Sequence, residues 1–248
     1  MLLDGKRVII HGAGGALGGA VARTFAREGA RLFLAGRTRA KLEAVAAEVV
    51  TIGTPAEIDL VDALDADSVD RHTDSVAERA GGVDVVLNTI SLRDVQGIPL
   101  MEISSEDFTA PIITGATSQF LTSRAAARHM IRQGAGTVVT LSASPAALPG
   151  PLMGGFGVAC AAIEAFTRHL AGELGPHGVR VVCVRPDKLA DTPPKLEPDY
   201  FASLVDKTLL KRLPTLSETA EIAAFMASDR ASAMTGTVVN MTCGTIVD

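Results

Sequence analysis

Tryptophan is missing from the 248 residues, tyrosine occurs once, as Tyr200, and all aromatics together make up 4%. A core must therefore be packed from Ala, Val, Leu and Ile, and a hydrophobic fraction of 47% is ample for it. Positive charge is also short, since 23 Lys and Arg face 28 Asp and Glu, a net charge of -5. That balance offers no basic field and excludes nucleic acid as a partner class. Cys160, Cys183 and Cys243 are an odd number without metal-ligand spacing. They predict no disulfide framework and no metal site, only reduced thiols in a cytoplasm. No apolar run approaches the roughly 20 residues of a membrane span. Met1-Leu2-Leu3-Asp4-Gly5 leads straight into the first strand, with no room for a signal peptide. Repeats, linkers and low-complexity blocks are missing as well. These absences predict one soluble, cytoplasmic domain over residues 1–248.

What is present starts with Arg7-Val8-Ile9-Ile10-His11-Gly12-Ala13-Gly14-Gly15-Ala16-Leu17-Gly18-Gly19. A β-branched apolar run ends at His11, glycines follow, and an alanine-rich segment to Glu28 has helical spacing. Strand, glycine turn and helix in that order are what a dinucleotide fingerprint requires. Glycine is needed because a pyrophosphate must come close to the backbone, where a Cβ would collide. The freed amides and the positive end of the helix then hold the negative charge. His11 reads as a cap on the turn.

Strands are predicted at Arg31–Ala35, weakly at Ala56–Ile58, then at Val83–Asn88, Gly136–Ser142, Val179–Val184 and Thr237–Met241. Helices are predicted over Lys41–Val50, over Asp65–Arg79 with Asp67 or Ser68 as cap, over Ser105–Gln133, Met153–Leu174 and Glu218–Ala227. A Pro- and Asp-rich loop, 186–198, leads into an irregular stretch around Tyr200 to Leu213. Alternating strands and helices predict an α/β fold, a single Rossmann-type domain with a doubly wound, seven-stranded parallel sheet and helices on both faces.

The glycine turn His11-Gly12-Ala13-Gly14-Gly15-Ala16-Leu17-Gly18 is similar to the Thr-Gly-x-x-x-Gly-[Ile/Leu]-Gly of the short-chain dehydrogenase/reductase family, with His11 for Thr and Ala16 for the middle glycine. Ala161-Ala162-Ile163-Glu164-Ala165-Phe166-Thr167-Arg168, Gly178-Val179-Arg180-Val181, Lys211-Arg212-Leu213 and Met234-Thr235-Gly236-Thr237 resemble the family's later segments. The resemblance covers nearly the whole chain. It implies a nicotinamide cofactor on Gly12, Gly14, Gly15, Ala16, Leu17 and Gly18, with adenine near Asp59 and Leu60. It also implies a nicotinamide side formed by Asn88, Thr89, Pro186, Leu189 and Thr192. In this fold the second strand ends beside the adenosine ribose, where an acid would bind both ribose hydroxyls and repel a 2′-phosphate. Gly36-Arg37-Thr38 stands there instead. Arg37 can pair with a phosphate and Thr38 can donate to it, so NADP(H) is expected over NAD(H). The second basic residue that some NADP users carry inside the turn is Gly15 here.

The catalytic half departs from the family. Alignment puts Phe156 at the tyrosine position, Cys160 at the lysine, Ala143 at the serine and Gly115 at the asparagine. The tyrosine supplies the proton that a reduced carbonyl oxygen needs, and Phe156 has no hydroxyl. Loss of a general acid costs about 10² to 10⁴ in rate. Ser142 and Ser144, one residue from the serine position, and Asp187 and Lys188, in the loop beside the nicotinamide, are the candidate replacements. Three functions stay open. They are an NADP(H)-dependent oxidoreductase acting on an activated carbonyl, quinone or enone; a catalytically silent cofactor-binding sensor or partner subunit; and a cyclase, isomerase or dehydratase reusing the pocket. A small apolar or aromatic substrate is expected. The family resemblance implies a homodimer or homotetramer through helices 105–133 and 153–174.

Overall fold

A computed structural model describes residues 1–192 and 197–247. Residues 193–196 of the predicted 186–198 loop and residue 248 lie outside the described residues. Seven strands run parallel: β1 (Arg7–His11), β2 (Arg31–Gly36), β3 (Ala56–Leu60), β4 (Val85–Asn88), β5 (Gly136–Leu141), β6 (Val179–Pro186) and β7 (Thr237–Met241). Their spatial order is β3-β2-β1-β4-β5-β6-β7. The central strands are buried on both faces; β1 places Val8, Ile9 and Ile10 fully inside, which is why they read as unbroken apolar runs.

The α-helices among the described residues are α1 (Ala16–Arg27), α2 (Arg39–Thr51), α3 (Ala66–Ala80), α4 (Ser105–Gln133), α5 (Phe156–Leu174), α6 (Pro198–Asp206) and α7 (Leu216–Ala227). The first face of the sheet is covered by α1, α2 and α7 through Val21, Phe25, Val45, Val49 and Ala223. On the other, α3, α4 and α5 pack through Val76, Ala126, Met130 and Leu174. With no tryptophan, the largest fully buried side chains are Phe25 and Phe33, and close-packed alanines carry much of the rest. No helix among the described residues is long and apolar enough to cross a membrane.

The single domain and parallel sheet agree with the sequence reading. Some boundaries do not. The cap of α3 is Asp65, which accepts from the Asp67 and Ser68 amides, so the two residues expected to cap are the ones being capped. The second long helix starts at Phe156, not Met153, because Gly154 takes φ +52° and breaks helical geometry just before it. In α7 the start moves forward to Leu216, set by a reciprocal capping box between Thr215 and Glu218. The stretch expected to be irregular contains α6, which Pro198 opens at a position where a missing N–H costs nothing.

Candidate functional site

The strand order reverses direction between β1 and β4, and in open α/β sheets the crevice at that switch point is where ligands bind. The glycine turn sits at this point. Gly12 takes φ +80°, and a Cβ on it would lie 2.9 Å from the Thr89 backbone. A Cβ on Gly18 would overlap the Gly12 carbonyl oxygen. The Gly12 and Ala13 amides both donate to Ala35 O, which ties the turn to β2. α1 begins at Ala16 with Gly15 as N-cap, no side-chain cap and no acid in its first turn. Its orphan amides are therefore left to a ligand, which is the cradle a pyrophosphate requires.

A cavity of about 460 Å³ lies over this turn. On the β2–β3 side its wall is Arg37, Thr38, Lys41, Asp62 and Ala63; on the β4 side it is Thr89, Ile90, Ser91, Arg93, Thr114 and Thr192. Of the residues expected to hold cofactor, Gly12, Gly14, Gly15, Ala16, Leu17, Arg37, Thr38, Thr89 and Thr192 line it. Thr192 also buries a hydroxyl with no partner among the described residues. Gly18 sits beneath the turn as a spacer.

Besides Gly18, five of the expected residues do not line the cavity: Asp59, Leu60, Asn88, Pro186 and Leu189. The Asp59 carboxylate faces away, 3.0 Å from the Arg79 guanidinium and 3.4 Å from His72 Nδ1, and these partners hold it below the usual carboxylate range. β3 runs on to Leu60, so the cavity wall falls at Asp62 and Ala63, beyond where the weak strand signal placed it. Pro186 is paired within the sheet opposite Met241, and Leu189 accepts the Thr192 amide. Asn88 is a brace. Its Oδ1 accepts from the Ile90 amide and its Nδ2 donates to Thr122 Oγ1, fixing the loop that carries Ser91 and Arg93.

His11 does not cap the turn with its ring. Its backbone oxygen accepts from the Thr89 amide and hydroxyl, while the imidazole is buried edge-on against His72 at 5.7 Å. Burial, with the neighbouring His72 second, pushes it down to about 3.

Of the residues aligned with the family's tetrad, Gly115 packs on α5 and Cys160 meets the Ala143 backbone, and none of Gly115, Ala143, Phe156 and Cys160 carries a hydroxyl, amine or carboxylate. Gly115 packs so that a Cβ would meet Leu92 Cδ2 at 3.2 Å and Ile163 Cδ1 at 3.5 Å, and Leu92 fills the room where a longer side chain would stand. Cys160 lies one turn after Phe156 and hydrogen-bonds the Ala143 backbone; burial pushes its thiol up to about 12. It should therefore escape iodoacetamide at pH 8 in the native protein and react only after denaturation. Quantitative native labelling of the Cys160 peptide by mass spectrometry would contradict that burial.

Three of the four candidate replacements, Ser142, Ser144 and Asp187, are committed to the scaffold. Ser142 Oγ donates to Glu164 Oε1 at 2.7 Å. Ser144 Oγ donates to Asp187 Oδ1 at 2.7 Å, and Asp187 also accepts the Lys188 amide and the Thr245 hydroxyl. Lys188 is exposed and Tyr200 is 49% exposed, and neither lines the cavity. Missed by the sequence reading are Lys41, Asp62, Arg93 and Thr114. Lys41, one turn beyond Arg37, was marked by its spacing alone. No group of three His, Cys, Asp or Glu among the described residues is placed to hold a metal.

A family model described as Enoyl-(Acyl carrier protein) reductase matches residues 12–245. The chain belongs to the short-chain dehydrogenase/reductase family. It is 28% identical to a short-chain type dehydrogenase/reductase of Sinorhizobium fredii and 27% identical to a 3-oxoacyl-[acyl-carrier-protein] reductase of Thermotoga maritima, with 100% of each chain covered. The crystal structure of an NAD+-bound xylitol dehydrogenase superposes with a TM-score of 0.91 at 25% identity, covering 98% of this chain and 100% of that one. The short-chain dehydrogenase/reductase relatives are dehydrogenases and reductases, and an oxidoreductase on a nicotinamide cofactor is the activity this membership supports.

Proposed function

We propose that this chain is a cytoplasmic NADP(H)-dependent oxidoreductase whose substrate is an activated carbonyl, quinone or enone that needs no proton from a protein side chain. The observation that carries the cofactor preference is Arg37 and Thr38 on the cavity wall directly after β2, where Gly36-Arg37-Thr38 replaces the acid that would bind the ribose hydroxyls. NADPH, when bound, supplies the hydride. The chain's part is to hold the acceptor beside it, and the tetrad positions offer no proton. An acceptor whose reduced oxygen is an enolate or phenolate is far less basic than an alkoxide and takes its proton from water. The matching family model is named for an enoyl reductase, whose acceptor is conjugated in this way. Leu92 and Ile90 near the nicotinamide side favour an apolar or aromatic acceptor.

The test is NADPH oxidation, followed at 340 nm, across quinones, enones and activated carbonyls. The expected result is cofactor oxidation matched one-to-one by reduced product. Tight NADPH binding without turnover on any acceptor would instead support a silent sensor or partner subunit, a reading favoured by the tied-up Ser142, Ser144 and Asp187. Product formed without cofactor oxidation would support a cyclase, isomerase or dehydratase.

Assembly as a homodimer or homotetramer through α4 and α5 is part of the same proposal. Ile113, Phe120 and Val158 stand 61%, 48% and 47% exposed on these neighbouring helices, and the Arg124 guanidinium lies 5.4 Å from the Phe120 ring centre. Phe120→Glu should shift the protein to monomer by light scattering on a sizing column. An unchanged mass would place the interface elsewhere.

A further inference from the structure

The NADP(H) reading leaves a 2′-phosphate with one cation, Arg37, because Gly15 occupies the position where a second could stand in the glycine turn. We infer that Lys41 is the missing second cation, supplied from the first turn of α2 where that helix packs against the glycine turn. This rests on the NADP(H) reading.

Arg37 and Lys41 line the same wall of the cavity. Neither forms an ion pair or a side-chain hydrogen bond among the described residues, whereas Arg39 between them lies 3.8 Å from Glu43. Both charges are thus available to a ligand. The acid on this part of the wall is Asp62, whose Oδ1 already accepts the Leu64 amide. The stem of Lys41 is fixed where it is needed, since a Cβ on Gly14 would lie 2.8 Å from Lys41 Cβ. Side chains at Gly14 are excluded by this contact, so α2 and the glycine turn pack directly and Lys41 starts at the turn itself. Between the two cations, Thr38 is the N-cap of α2 but makes no side-chain cap bond, and α2 has no acid in its first turn. The Thr38 hydroxyl and the first α2 amides are therefore free to donate toward the same point. A dianionic phosphate is the group that takes two cations, a hydroxyl and helix amides together, and a bare ribose hydroxyl has no use for them.

Lys41 is exposed, so its substitution should leave the fold intact. Calorimetric affinities for adenosine 2′,5′-bisphosphate and for 5′-AMP are measured on the wild type, Lys41→Gln, Lys41→Arg and Arg37→Gln. The expected result is that Lys41→Gln weakens the bisphosphate roughly 10-fold or more, leaves 5′-AMP unchanged, and is largely rescued by Lys41→Arg. If the wild type prefers the bisphosphate and Arg37→Gln abolishes this while Lys41→Gln does not, the Lys41 assignment is overturned and the NADP(H) reading stands. A wild type that binds both nucleotides equally overturns both.

Discussion

Glu164→Ala should cost about 3 kcal/mol or more of folding stability, the largest loss expected from a single side chain here. The carboxylate lies in α5 with its side chain 7% exposed, and Arg185 at the end of β6 is 8% exposed. Arg185 Nε donates to Oε1 at 2.7 Å and Nη2 to Oε2 at 2.9 Å, and Ser142 Oγ adds a third bond at 2.7 Å. One carboxylate thus joins the ends of β5 and β6 to the helix bearing Phe156 and Cys160. Removing it takes a bidentate carboxylate from a desolvated guanidinium, and breaking such a buried pair costs far more than forming it gains. Glu164→Gln keeps an accepting oxygen and should lose less. Urea unfolding of both variants measures the difference, and a loss below about 1 kcal/mol for Glu164→Ala would show that the cluster is not holding the site together.

Acidification should destabilise the fold well before its carboxylates titrate, and His11 is the reason. The imidazole is fully buried in β1, facing His72 from α3, with Asp59 of β3 and Arg79 of α3 beyond. Its folded value is about 3 against 6.5 for a free histidine, so the folded state binds fewer protons. Unfolding then takes up a proton at every pH between those values. The stability present above pH 6.5 is lost as pH falls from about 6.5 toward about 3, at up to roughly 1.4 kcal/mol per unit. Between pH 6.5 and 5 ordinary carboxylates are still ionised, so the slope there belongs to histidine. His11→Thr, which carries the family's residue, should flatten that slope in urea titrations at stepped pH. An equally steep slope in the variant would assign it to another group.

The parts of the fold that were legible are those whose cause is local. The apolar run before His11 and the glycines after it specify a strand and a tight turn through conformational demand alone. Likewise α4 spans Ser105–Gln133 as expected, and its ends are local: Ser104 caps it and Gly134, at φ +69°, ends it. Where the cause is tertiary the reading failed. The β3 signal is weak because its residues are only half buried at the sheet's edge, and that Asp62 lines the cavity while Asp59 turns to Arg79 and His72 could not be read from it. Arg93 and Thr114 reach the cavity from a loop and a helix far apart in sequence, and no spacing rule joins them. The contact of Leu92 with Gly115 could not be read either, because it joins a loop to the middle of α4.

The account's central claim is that the cofactor half of the site works and discriminates the 2′-phosphate. Thermal unfolding with NADPH, with NADH and with neither tests it most directly. NADPH at about 100 times its dissociation constant should add roughly 2.7 kcal/mol of stability, with a clear rise in Tm, while NADH at the same concentration adds far less. No rise with either nucleotide, or an equal rise with both, would contradict the claim.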